Sequence, residues 1–248
     1  ALALGALSDI RDGDALAAIA RLRRSILMDK VGRTDDAVDM LGALSRDFPD
    51  SLIPDLQLGE TLKYRSRFRE AIPVYDRAIR KIARPGPADW MLFYGRGVAH
   101  DRDGQWGKAE DDFASALALA PDQPMVLNYL GYSWADRGHR LDEALEMIQR
   151  AVAQRPNDGA ITDSLGWALF RLGRYDDAVK FLERATELEP DDPTINAHLG
   201  DAFWATGRKV EAIYQWRRAL TMKPSDDDRA KLEERLRPDY AGPVPGAR

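Results

Sequence analysis

Three histidines, His100, His139 and His198, are the side chains of this sequence best suited to moving a proton or holding a metal near neutral pH. None has a second ligand at metal spacing, and neither a His-Glu-x-x-His helix nor a glycine-rich phosphate loop occurs. Clustered carboxylates, Glu110, Asp111 and Asp112 or the pair Asp191 and Asp192, have the chemistry of a general acid and base. They start or flank amphipathic segments, however, where solvated charge is the simpler reading. With 0 cysteines there is no thiolate nucleophile, no disulfide framework and no thiolate metal site. The expectation is a chain without catalytic residues, metal or cofactor, in which His100 is packed, His139 lies in a turn and His198 sits on a helix.

The elements that carry these residues follow from a repeat. Gly97, Gly131, Gly166 and Gly200 fall at steps of 34, 35 and 34 residues, each trailed by two alanines and a proline. One copy reads Leu165, Gly166, Leu169, Ala178, Leu182, Ala185, Pro190, and all seven positions shift by 34 to Leu199, Gly200, Phe203, Ala212, Trp216, Ala219, Pro224. The copy at Leu130, Gly131, Trp134, Ala144, Ile148, Ala151, Pro156 carries one extra residue in a turn. Earlier copies (Arg96, Gly97, His100; Leu58, Gly59, Leu62; Ser25, Met28) are progressively more degenerate.

Each position has a physical reason. A large apolar residue beside a glycine on one helix, and two alanines seven apart on the next, let two helices approach closely. Gly32, Gly104, Gly138, Gly173 and Gly207 recur where a helix ends in a left-handed turn, with Ser66 as the exception. The prolines stop the second helix because they lack the donor its interior requires. Helix, tight turn, helix, stop is the unit.

This pattern resembles the tetratricopeptide repeat, a 34-residue helical hairpin. The resemblance implies an all-α, right-handed superhelical solenoid of antiparallel helix hairpins that binds peptides or proteins. The register divides the chain into a partial repeat helix over 1–17, where Ala3, Leu7 and Ile10 precede Ala37, Leu41 and Leu44 by 34. Six hairpins follow over 18–226 (18–51, 52–89, 90–123, 124–158, 159–192 and 193–226). Between Ala78 and Trp90 the period stretches to 38, read as a longer second helix and a stiffer connection. Ser225 and Asp226, Asp227 and Asp228 open a capping helix over 227–238, with carboxylates at the positive end of its dipole, and 239–248 reads as a flexible tail.

Composition fits a repeat array, with 44% hydrophobic and 31% charged residues. A net charge of -5 disfavours nucleic acid as partner, and no 18-residue apolar run predicts a membrane span. The chain opens at Ala1 inside an apparent helix, which reads as a fragment of a longer array.

In repeats of this family the second, fifth, ninth and twelfth positions of each first helix line the concave face. Carried onto this frame, the resemblance selects Met91, Tyr94, Met125, Asn128, Tyr132, Asp163, Trp167, Phe170, Asp201 and Trp204 as partner-binding residues, five aromatics and two methionines among them. Large apolar side chains on an exposed face need covering, although Tyr132 or Phe170 could equally pack against a neighbouring helix. The lysine and asparagine set of a carboxylate clamp is missing. So is an asparagine ladder, since the sixth positions are Gln57, Gly95, Tyr129, Ser164 and His198.

Repeats four to six, with Leu130-Gly131-Tyr132-Ser133-Trp134-Ala135-Asp136-Arg137-Gly138, Asp163-Ser164-Leu165-Gly166-Trp167 and Ala197-His198-Leu199-Gly200, also resemble a proteobacterial family of envelope proteins. One branch of it delivers substrates to a periplasmic carboxyl-terminal processing protease. That resemblance implies an adaptor in the periplasm or at the outer-membrane periphery, with a protease among its partners; a cytoplasmic setting and self-association stay open. The alternative is a regulatory or substrate-docking region of an enzyme whose catalytic domain lies outside this chain.

Overall fold

The computed structural model describes residues 17–242. The partial repeat helix expected before residue 17 and the tail residues 243–248 lie outside this range. Among the described residues there are thirteen α-helices, one short 3-10 turn and no strand. The chain divides into two compact units, Ala1–Pro121 and Asp122–Arg248.

The first unit holds three hairpins: α1 (Ala17–Lys30) with α2 (Thr34–Asp47), α3 (Ile53–Tyr64) with α4 (Phe68–Arg80), and α5 (Trp90–Arg102) with α6 (Trp106–Leu119). Its core gathers Leu41, Leu44, Leu58, Leu62, Ala71, Tyr75 and Ala78. The stretched period does not lengthen a helix. Helix α4 has 13 residues, and the added residues form the connection over 81–86 and the 3-10 turn Pro87–Asp89. Pro85 and Pro87 explain why, since neither can donate the backbone hydrogen bond that a longer helix needs.

The second unit holds α7 (Pro124–Asp136) with α8 (Leu141–Gln154), α9 (Gly159–Arg171) with α10 (Tyr175–Leu188), α11 (Pro193–Ala205) with α12 (Lys209–Thr221), and the shorter α13 (Asp226–Arg235). In α10 the buried Ala178, Val179, Leu182 and Ala185 form one stripe at helical period. They face α9, and burying a side chain such as Leu182 contributes about 1.5–3 kcal/mol. A Cβ on Gly166 would stand 2.6 Å from Cγ of Leu182, so only glycine lets these helices meet. Asp176 and Asp177 occupy the first turn of α10, where the helix dipole favours negative charge.

The turn between the helices of a hairpin closes through a left-handed residue. At Gly173, φ is +76° and its N–H donates to the carbonyl of Phe170 at 2.9 Å. Ser66 adopts the same conformation at φ 58° despite its side chain. In the fourth hairpin the extra residue is absorbed in the turn, where Arg140 takes a left-handed conformation (φ 47°) and precedes α8. Capping differs along the unit: Asp158 accepts from the N–H of Ile161, Asp192 from those of Thr194 and Ile195, and Ser225 from that of Asp228.

Candidate functional site

In the first unit, Met91 and Tyr94 lie on α5 one helical turn apart. Met91 is 41% exposed. Tyr94 is half-buried, its ring 5.8 Å from Trp90 and 6.1 Å from Phe113, with Nζ of Lys63 5.4 Å from its centre. Burial, with the Glu60 carboxylate nearby, pushes its phenol up to about 12.

The other eight selected residues belong to the second unit, and their environments differ. On α7, Met125 is 41% exposed, while Asn128 and Tyr132 are half-buried. The Asn128 side-chain oxygen is buried without a hydrogen-bond partner. Helix α9 departs from the expectation of an open face, because every residue from Ile161 to Phe170 is buried. Trp167 is 8% exposed, stacks on Phe170 (5.0 Å, 7°) and on His198 (4.1 Å, 14°), and donates its indole N–H to Asp136 at 3.3 Å. Asp163 points at His198, with Nδ1 3.0 Å from both carboxylate oxygens. Asp201 is wholly buried and accepts two hydrogen bonds from the guanidinium of Arg235, at 2.7 and 2.6 Å, and one from the indole N–H of Trp216 at 3.0 Å. Trp204 is half-buried beneath Tyr240, with ring centres 5.3 Å apart.

The physical cause of this closure is helix-to-helix contact along the array. Asp163 and His198 are the fifth and sixth positions of successive first helices, so they meet across α9 and α11. Asp201 and Arg235 are separated by 34 residues, which puts Arg235 at the place a ninth position would take on a further first helix. Neither pair enters the selection made from the sequence as a pair, yet both spacings are readable there. Burial opposes charge on His198, but the Asp163 carboxylate and its hydrogen bond prevail and raise the imidazole above its ordinary value.

Two of the residues with potential chemistry, His100 and Asp112, are also packed inside. His100 is buried, its Nδ1 lacks a partner, and its pKa is lowered by burial. Asp112 is not solvated as its acidic run suggests: it is 4% exposed and takes a forked interaction from Arg96, which also reaches Asp76 at 2.7 Å. Among the described residues no group of histidines and carboxylates could hold a metal ion, and no helix is long and apolar enough to cross a membrane.

Comparison with known proteins places these features in context. The family model described as tetratricopeptide repeat matches residues 56–124, 94–159, 135–193 and 164–227. A TPR repeat-containing protein of Pseudomonas aeruginosa is 34% identical over 156 residues, a stretch covering 62% of this chain and 26% of that relative. The chain thus accounts for about a quarter of the relative's length in the match. Among solved structures, the APC/C hetero-tetramer Cut9-Hcn1 superposes with a TM-score of 0.78 at 19% identity, covering 94% of this chain and 45% of that one. YrrB, described as a TPR protein with an unusual peptide-binding site, superposes with a TM-score of 0.55 at 19% identity, covering 78% of this chain and 97% of that one.

Proposed function

Because this chain belongs to the tetratricopeptide-repeat family, a scaffold for contacts between proteins, we propose that it is an adaptor that holds a peptide or protein segment against the groove-facing side of its first helices. The observation that carries this is α7, where Met125, Asn128 and Tyr132 share one face at helical spacing. Met125 is 41% exposed, and Asn128 and Tyr132 are half-buried beside it. An exposed thioether adapts to apolar side chains of varied shape, an amide can pair with an extended peptide backbone, and a tyrosine supplies an anchor. Met91 on α5 gives the first unit a comparable apolar contact. The solved TPR protein YrrB is described by its own peptide-binding site, which supports the same use of the fold.

The setting we propose is a bacterial envelope, on the resemblance carried by the motifs of repeats four to six; the relative from Pseudomonas aeruginosa supports a bacterial source alone. A processing protease is the partner that resemblance suggests. A second reading, a docking region attached to an enzyme, is kept by one observation: the matched stretch covers 26% of the relative. The complete reading frame distinguishes the two, since a fused catalytic domain would favour the second. The binding claim is tested by affinity capture from envelope extracts with the wild type beside a Met125→Asp, Tyr132→Ala double variant of unchanged melting midpoint. A partner retained by the first and lost by the second supports the groove; identical captured sets would move the binding surface elsewhere.

A further inference from the structure

Residues 240–242, after α13, lie against the aromatic side chains of the last hairpin. Tyr240 lies over Trp204 and, edge-on at 87°, against Trp216, with ring centres 5.3 and 5.5 Å away. Burial, with the Asp201 carboxylate behind it, pushes the Tyr240 phenol up to about 12. Two residues on, Gly242 takes φ +105°, and a Cβ there would stand 2.5 Å from Nε1 of Trp204, so the chain passes directly against the indole edge. Nζ of Lys209 lies 4.9 Å from the centre of the Trp204 ring. Trp204 therefore forms an aromatic seat that accepts a tyrosine and, two places later, a residue without a side chain.

Side chains hold the segment in this seat more than its backbone does: the Tyr240 ring rests on two indoles and its hydroxyl meets the guanidinium of Arg235. The N–H of Tyr240 donates to the carbonyl of Arg237 at 3.1 Å, and Pro238, Asp239 and Ala241 are exposed. The strong links of this region lie upstream, where Arg235 of α13 grips Asp201. Releasing residues 238–242 would give up the Tyr240–Arg235 contact, keep the two hydrogen bonds from Arg235 to Asp201 and uncover the face of Trp204.

We propose that the Trp204 seat is an exchangeable binding site for extended segments bearing an aromatic residue followed two places later by glycine, and that the chain's own Tyr240-Ala241-Gly242 occupies it as an internal competitor. This rests on the reading of the first-helix face as a peptide-binding surface. Such a partner must displace a tethered rival whose effective concentration is of millimolar order for a short link. Opening the seat should then strengthen the capture of a peptide whose own affinity is near 100 μM by about tenfold.

The probe is a fluorescently labelled synthetic peptide of residues 236–248 of this chain, titrated into full-length proteins and followed by anisotropy. Tyr240→Ala should bind it at least tenfold more tightly than the wild type, and Tyr240→Ala combined with Trp204→Ala should lose the gain. Gly242→Ala, which adds a Cβ against Trp204, should give a gain of the same kind and serves as the second opening variant if Tyr240→Ala fails to fold. Equal binding by wild type and both opening variants would overturn the proposal. So would dimerisation of the wild type abolished by Tyr240→Ala, which would assign the seat to the tail of a second copy. Failure here with a positive envelope capture at Met125 and Tyr132 would leave the adaptor reading intact and remove only the competitor.

Discussion

A histidine whose pKa is raised by a carboxylate inside a protein contributes its charge-dependent stabilisation only while it carries its second proton. His198 is paired with Asp163, faced also by Asp201 and Arg235, and its pKa in the folded chain is raised above the ordinary 6.5. The contribution is therefore complete below that ordinary value and is lost as pH rises through the raised one. The difference in melting midpoint between the wild type and His198→Gln should shrink steadily from about pH 6 toward alkaline pH; a difference constant with pH would show that the pair is never charged. A second residue-scale expectation concerns Gly166, whose virtual Cβ meets Leu182 at 2.6 Å. Gly166→Leu should cost about 1–3 kcal/mol or more in urea unfolding. That close approach was legible from the spacing of glycine and alanine alone. The pairing of His198 with Asp163 is legible only when the sixth position of one first helix is matched to the fifth position of the first helix before it, because neither residue type alone names its partner.

Helices in an array differ chiefly in what meets their ends and outer faces. Helix α13 starts with Ser225 as its cap and Asp226, Asp227 and Asp228 in its first turn, as the sequence leads one to expect. What holds it to its neighbour is less visible, namely one buried apolar residue, Leu232, and the forked link from Arg235 to the fully buried Asp201. Arg235→Leu strands that carboxylate and should cost about 3–5 kcal/mol. Asp201→Asn in the same chain should recover much of the loss, and an additive double variant would deny the coupling. In the turn before α8, deleting His139 should preserve a single cooperative unfolding transition, since turns tolerate changes of length. Loss of cooperativity would mean that the left-handed Arg140 is needed to direct α8. Element positions were thus readable from the 34-residue frame. The longer helix expected after Ala78 does not form, because period alone does not say whether added residues extend a helix or a loop, and Pro85 and Pro87 place them in the connection.

At the scale of the molecule, a repeat frame tells which side of a helix faces a groove but not what else has come to cover it. Trp167 and Phe170 occupy groove positions by number, yet they are 8% and 3% exposed because stacking against His198 and each other closes them in. Trp167→Ala should accordingly lower stability by about 3–5 kcal/mol, comparable to Trp216→Ala and unlike the loss of an open groove residue. A melting midpoint within a degree or so of wild type would instead restore Trp167 as a surface anchor. Met91 and Met125 remain exposed, and they, with the half-buried Tyr132, are where binding variants should be placed first.

The glycines of the first helices carry one more consequence. Gly97 receives Phe113, Gly131 receives Ile148, Gly166 receives Leu182 and Gly200 receives Trp216, so the bulk that fills each notch changes from hairpin to hairpin, while notch and filler always come from the same one. A hairpin copied or transplanted whole takes this packing pair along, so what its new neighbours must supply is the links between hairpins, such as Asp163 to His198. Tyr75 is different, since its ring fills both Gly59 of its own hairpin and Gly95 of the next. The second and third hairpins should therefore travel only as a pair, and a recombination joint placed between them would separate a lock from half of its key.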